Sequence, residues 1–214
     1  MNASALAEGL KLLLINNYVK NRMKFERLLD KIYTIMLEKP DIMEFNSLDT
    51  SSLKNYDAVI LSGTDSTRGL PEVLPEYGKE AGLIRNYGGP IFGICFGHQL
   101  ISTAFGGRVL TLSHKYLGFH KVEVLRRDRL FEGLPSLIRV YEAHARVVER
   151  VPPGFIHLAK AKDYDVEVIR HKNRPIYGVQ FHPERYCEEY PDGRRILENF
   201  LKISGWNPDC RGKI

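Results

Sequence analysis

Apolar residues in the first half of the chain fall into two kinds of run. Residues 11–16 (KLLLIN) and 57–62 (DAVILS) are short and nearly continuous, the pattern of a strand buried on both faces. Between them, residues 21–37 carry Met23, Leu28, Ile32, Ile35 and Met36 at helical spacing, and Pro40 closes that element because it cannot continue a helix. Residues 42–45 read as a short second strand and 75–87 as a helix weakened by Gly78 and Gly82. A further strand follows at 90–94, then a helix at 98–105 ended by Gly106 and Gly107. Strand and helix in alternation predict an α/β chain: a doubly wound, mostly parallel sheet flanked by helices, with its ligand at the carboxyl ends of the strands.

From residue 108 onward the pattern changes. Short alternating pieces at 121–125 (KVEVL), 137–141, 146–148, 156–159 and 166–170 are divided by Gly and Pro turns. They predict additional antiparallel strands in the C-terminal half, covering one side of the core. Residues 176–181 (IYGVQF) form a well-buried strand and 193–203 a closing helix. There is no internal repeat or low-complexity segment, and 214 residues suit one α/β core, so a single domain over 1–214 is expected.

Composition alters this picture little, but it excludes several classes. No apolar run approaches the ~20 residues of a bilayer span. The start, MNASALAEGLKLLLIN, has no basic region ahead of its apolar run, so no signal peptide is expected and the cytoplasm is the expected location. The net charge is +5, yet the Lys and Arg residues are interleaved with acids and no recognition motif accompanies them. A solvated surface fits this better than a nucleic-acid face, with an acidic partner or an anionic ligand as the charge's other reading. Cys95, Cys187 and Cys210 lie far apart without ligand spacing, which argues against a disulfide framework or a structural zinc.

One cysteine has unusual flanks. Gly93-Ile94-Cys95-Phe96-Gly97 has the G-x-nucleophile-x-G form of a strand-to-helix elbow, where side chains on the neighbours would collide with adjacent backbone. The turn sets Cys95 at a helix N-terminus, whose positive dipole end favours thiolate. Alone, the motif fits equally well a small buried cysteine in a closely packed turn. The segment GVQFHPERY (178–186) adds a second element, because His182 and Glu184 follow a buried strand and so belong at the same sheet edge as Cys95. Pro183 fixes the backbone between them. A histidine there can take the Cys95 proton or pair with its thiolate, and Glu184 can orient the imidazole.

GICFGHQ together with FHPE resembles the class I, triad-type glutamine amidotransferases, and the resemblance runs over nearly the whole chain. LFEGLP (130–135), PPGF (152–155) and RPIYGVQFHPE (174–184) are most similar to the glutaminase part of GMP synthetases. The resemblance implies a flavodoxin-like fold and hydrolysis of glutamine to glutamate and ammonia through a γ-glutamyl thioester. It makes Cys95 the nucleophile, His182 the base and Glu184 its partner. It places the oxyanion hole on the backbone N–H groups of Phe96 and of Gly63, with Thr64 as the other candidate for the second donor. Gln99 would contact the amino-acid end of the substrate, and the backbone of Ala143, His144 and Ala145 would hold it. No metal or organic cofactor is implied. Ammonia would pass to a separate ATP-dependent synthetase subunit, with low glutaminase activity until that partner docks.

Two segments depart from the family pattern. LSGTDST (61–67) stands where the family writes S-G-G-P, and EAHAR (142–146) where it writes S-H-G-D. Thr64 would be strained if the loop needs a positive φ there, and Ala145 cannot copy the φ range of glycine. LSGTDST also resembles, one residue short, the S-G-G-x-D-S loop of ATP pyrophosphatases, but no phosphate-binding fingerprint elsewhere supports a nucleotide site. The altered segments leave two rival readings: a stand-alone γ-glutamyl peptide hydrolase and a non-enzymatic homologue. Among the remaining residues, His98 is expected on the helix near the site, and His114 and His120 at the surface for want of a third ligand. His144 is expected to form hydrogen bonds without moving a proton. Tyr186, Tyr190 and Trp206 should pack the closing helix, and Cys187 and Cys210 should be inert.

Overall fold

The continuous apolar runs become the central strands of a 9-stranded sheet in a computed structural model that describes residues 9–208. Helix α1 (Arg22–Met36) joins β1 (Leu12–Asn16) to β2 (Asp41–Glu44), and two 3-10 turns join β2 to β3 (Ala58–Leu61). Helices α2 (Leu70–Val73) and α3 (Gly78–Asn86) lead from β3 to β4 (Ile91–Ile94), and α4 (Phe96–Ala104) follows β4. The second half supplies β5 (Val109–Val124), β6 (Leu137–Val148), β7 (Phe155–Lys160), β8 (Val168–His171), β9 (Ile176–Val179) and α5 (Asp192–Ile203). The spatial order is β2-β1-β3-β4-β9-β8-β7-β5-β6. Pairing is parallel from β2 through β9 and antiparallel from β9 to the β6 edge.

Each central strand feeds both faces of the sheet because successive side chains point to opposite sides. Leu12 and Leu14 pack with Phe25, Leu28 and Ile32 of α1 and with Ile196, Leu197 and Phe200 of α5. Leu13 and Ile15 pack on the other face with Leu83 and Ile84 of α3 and Leu100 and Ile101 of α4. Phe92 stacks on Phe200 with ring centroids 4.8 Å apart. Burial of each such side chain contributes about 1.5–3 kcal/mol relative to leaving it exposed.

Two local expectations need correction. Met23 is not on the buried stripe of α1; it is 79% exposed, and Phe25 begins the row that continues through Leu28, Ile32 and Ile35. The expected end of the helix at residue 37 holds: Leu37 adopts φ 63° and returns its N–H to the Tyr33 carbonyl at 2.7 Å. The helix expected over 75–87 is split into a 3-10 turn, Leu74–Tyr77, and α3, which Gly78 opens.

The largest correction concerns the second half. The antiparallel strands do not cover the core; they extend the same sheet beyond β9. The pieces at 137–141 and 146–148 are one strand, β6, in which Ile138, Val140, Glu142 and His144 are buried alternately. The period of two runs from Ile138 to His144 and breaks before Val147 and Val148, which are both buried. Two of the inward positions are polar, which conceals the strand from any pattern of apolar residues alone. Among the described residues, no helix is long and apolar enough to cross a membrane.

Candidate catalytic site

The link between β4 and α4 is a single residue, Cys95, with φ 51° and ψ −97°. Side chains other than glycine rarely adopt positive φ, so the surrounding structure must impose it. The Cys95 N–H donates to the Val179 carbonyl at 2.8 Å, which extends the β4–β9 ladder, and its carbonyl accepts from the Gln99 N–H at 3.1 Å. The flanking glycines are required by contact. A Cβ on Gly93 would lie 2.5 Å from the Gly97 carbonyl carbon, and one on Gly97 would lie 2.5 Å from the Leu61 carbonyl oxygen. Cys95 is 6% exposed at the N-terminus of α4.

Strand β9 delivers the histidine. The His182 N–H donates to the Tyr141 carbonyl at 2.8 Å, and its Nδ1 lies 2.7 Å from Oε1 of Glu184, which Pro183 holds in a 3-10 turn. Both side chains are buried. Burial opposes a charge on His182, but the Glu184 and Cys95 charges and hydrogen bonds outweigh it and raise the imidazole well above its ordinary value.

Gly63 packs against this pair: a Cβ there would lie 2.9 Å from His182 Cε1 and 2.9 Å from the Tyr18 hydroxyl. Tyr18 is held neutral by burial, reinforced by the Glu184 and Cys95 charges. Motif reading could not have found it, since Tyr18 lies beyond the end of β1 in no pattern of its own.

The loop that departs from the family pattern is fastened by the residues that make it unusual. Thr64 donates its hydroxyl to the Asn17 carbonyl at 2.7 Å and accepts from the Ser66 N–H at 3.1 Å. Among the described residues only Leu37 and Cys95 combine a side chain with a positive φ, so neither Thr64 nor Ala145 takes the glycine-like φ that would strain it. Asp65 accepts from the N–H groups of Val19, Lys20 and Asn21 at 2.9, 3.1 and 2.6 Å. This backbone cradle ahead of α1 is thus filled by the protein's own carboxylate rather than left open to a phosphate. Arg146 donates to the carbonyls of Ser66 and Thr67, and so ties the second unusual segment to the first.

Gln99 is buried, and its Nε2 donates inward, to the Arg146 carbonyl at 2.9 Å and to Gln180 Oε1 at 3.2 Å. Gln180 in turn directs Nε2 at the Cys95 sulfur, 3.7 Å away. Phe96 is the first residue of α4, directly after the elbow. Ala143, His144 and Ala145 lie within β6, and the His144 ring turns into the protein, with Nε2 2.8 Å from Glu142 Oε2 and 3.0 Å from the Tyr164 hydroxyl.

Behind that ring is a buried polar group that no sequence motif announces. Burial pushes Glu142 up to about 8 and His144 down to about 4. Glu167 is raised well above the carboxylate range by burial and by the Glu142 charge. Glu142, His144 and Glu167 offer ligand atoms that all lie within 4.8 Å of one another, the one grouping among the described residues able to hold a metal ion. His98 is buried in α4 against Gly178 and is pushed down to about 3 by burial. His114 and His120 are in β5, with their rings packed on Tyr116. Tyr186 and Trp206 pack on the core, whereas Tyr190 lies on Phe119, centroids 4.4 Å apart. Cys187 is exposed and unpaired, and Cys210 lies outside the described residues.

Comparison with known proteins points the same way. The profile of the family "Glutamine amidotransferase class-I" matches residues 13–203. A glutamine-hydrolysing GMP synthase subunit of Pyrococcus abyssi is 36% identical over 174 residues, covering 80% of this chain and 88% of the relative. The protein of the same name from Methanosarcina barkeri is 35% identical over 199 residues, covering 91% and 96%. The crystal structure of a protein from Thermoplasma acidophilum described as a GMP synthase subunit superposes with a TM-score of 0.79 at 32% identity, covering 92% of this chain and 95% of that one. With the profile spanning most of its length and relatives this similar, the chain belongs to the class-I glutamine amidotransferase family.

Proposed function

We propose that this protein is the glutaminase subunit of a two-subunit, ATP-dependent GMP synthetase, hydrolysing glutamine and supplying ammonia to a separate synthetase subunit in the cytoplasm. The observation that carries the reading is the pairing of a positive-φ cysteine elbow with a buried His182–Glu184 hydrogen bond at the same sheet edge. The relatives are named as one subunit of a glutamine-hydrolysing synthase, which supports a division of labour between chains.

The Cys95 thiolate attacks the side-chain carbonyl carbon of glutamine, and the oxygen takes up the negative charge. Backbone N–H groups of Phe96 and of the Gly63 loop receive that oxyanion; removing one such donor typically costs ~2.7–4 kcal/mol. The C–N bond breaks as His182 gives its proton to the leaving nitrogen, which departs as ammonia and leaves a γ-glutamyl thioester. His182, now neutral, takes a proton from water, whose oxygen attacks the thioester. Glutamate leaves and the thiolate is restored. Glu184 holds the ring through Nδ1, so the other nitrogen is the one free to exchange protons. The substrate's amino-acid end falls to Gln99 and to the backbone of Ala143, His144 and Ala145.

The test is ammonia release from glutamine and from a γ-glutamyl dipeptide, beside Cys95→Ala, in the presence and absence of the synthetase partner. Glutamine turnover that needs Cys95 and rises when the partner is added is expected. Dipeptide turnover far above glutamine, indifferent to the partner, would replace this reading with the stand-alone hydrolase.

A further inference from the structure

Gln180 is fully buried, belongs to no part of the triad, and lies against the reacting sulfur. Its amide could in principle face the sulfur with either end, and an oxygen there would repel a thiolate. The neighbouring network decides the matter. The Arg146 carbonyl can only accept, so the group that Gln99 turns toward it must be the NH2. The same NH2 supplies its second hydrogen to Gln180, so the Gln180 atom facing it must be Oε1. That leaves the Gln180 nitrogen toward Cys95. Reversing Gln180 would set two NH2 groups against each other and an oxygen against the sulfur, two losses with no gain.

We infer that Gln180 is a further catalytic residue, an N–H donor that stabilises the Cys95 thiolate and is held in its donating orientation by Gln99 and the Arg146 carbonyl. A hydrogen bond to an ionised acceptor is stronger than one to its neutral form, so this donor favours thiolate over thiol. It acts on the sulfur twice in the cycle: before attack, and again when the thioester breaks and the sulfur leaves as thiolate. Gln99 and Arg146 are then positioning residues, acting through Gln180. The backbone supports the arrangement, because the Gln180 N–H donates to the Glu167 carbonyl at 2.8 Å and fixes where the side chain starts.

The inference rests on Cys95 being the nucleophile, and its test avoids glutamine. Alkylation of Cys95 by iodoacetamide is followed by mass spectrometry of its peptide at pH 6.5 and pH 9.5, in wild type, Gln180→Glu and Gln99→Met. Loss of one hydrogen bond to the sulfur, together with repulsion from the new carboxylate, should slow Gln180→Glu about fivefold or more at pH 6.5, and Gln99→Met, which adds no charge, separates the two causes. Less than a twofold change is expected at pH 9.5, above the range in which ordinary thiols titrate. Gln99→Met keeps Gln180 but frees its amide to turn, and should show a smaller loss with the same pH pattern. Should Gln180→Glu fail to fold, Gln99→Met carries the test alone. A wild-type rate for Gln99→Met at pH 6.5, or equal losses at both pH values, would overturn the inference, since this variant adds no charge and packing and access do not depend on pH in this way. Wild-type Cys95 reacting no faster than exposed Cys187 at pH 6.5 would instead sink the nucleophile reading itself.

Discussion

Strands β1, β3 and β4 bury apolar residues on both faces, whereas β6 and the turn into β8 bury Glu142, His144 and Glu167 together. The two halves of one sheet therefore do different work. The parallel half is a close-packed frame in which the backbone itself is the functional part: it forces Cys95 to φ 51° and brings Gly97 against Leu61. The antiparallel half contributes side chains with protons to hold, and Tyr141, next to Glu142, carries the carbonyl that receives the His182 N–H. Strain is tolerated where packing over-determines the backbone, and buried acids where hydrogen bonds and protonation remove their charge.

The comparison breaks most sharply at Gly97. Gly97→Ala drives a Cβ into a main-chain oxygen that cannot rotate away, so we expect a loss of about 3 kcal/mol or more and no glutamine turnover, read by urea unfolding and ammonia release. Retention of near-wild-type stability would show that the frame is softer than its packing implies.

The antiparallel half should reveal itself through pH. Glu142 is raised to about 8 from 4.5, so its protonated form stabilises the fold below 4.5 and that stability is lost as pH rises toward 8. Glu80, buried beside Asn17, is raised to about 8 and has the same sign. His98 and His144 are lowered to about 3 and about 4 from 6.5, so acidification below 6.5 destabilises the fold as they resist protonation. Thermal unfolding should therefore be most resistant between about pH 4.5 and 6.5, where the loss from the acids and the gain from the histidines offset each other, with Tm falling by about 5 °C by pH 8.5. Glu142→Gln should flatten the alkaline side in part, and Glu80→Gln should remove a separate share. A flat profile in wild type would mean that these groups are not held as buried neutral acids.

The smallest effect belongs to the helix face that the apolar pattern misassigned. Met23→Gln should change stability by no more than ~0.5 kcal/mol in chemical denaturation, since the side chain is solvent-exposed. A larger loss would return Met23 to the packed stripe.

These contrasts also explain what the bare chain makes visible. The central strands are legible because a strand buried on both faces must be continuously apolar. The elbow is legible because only glycine tolerates such close approach on either side of a turn. His182 and Glu184 stand out because they are two residues apart and follow a recognisable strand. By contrast, β6 reads as two pieces, since the polarity of Glu142 and His144 disguises inward positions. The direction of the antiparallel extension is equally hidden, because local alternation is the same whether strands cover a sheet or lengthen it. Asp65 resembles part of a phosphate loop until the N–H groups it binds, 44 to 46 residues earlier, come into view.

The sequence by itself determined the α/β order, the elbow and the histidine–carboxylate pair, because each depends on period, steric size or near-neighbour spacing. Only the tertiary structure decided which neighbours the sulfur has. Gln180 is 85 residues from Cys95 along the chain, and the orientation of its amide depends on Gln99, 81 residues from it, and through Gln99 on the Arg146 carbonyl. Hydrogen-bond direction at such a site is settled by the whole set of donors and acceptors that folding brings together, and no local pattern in the chain encodes that set.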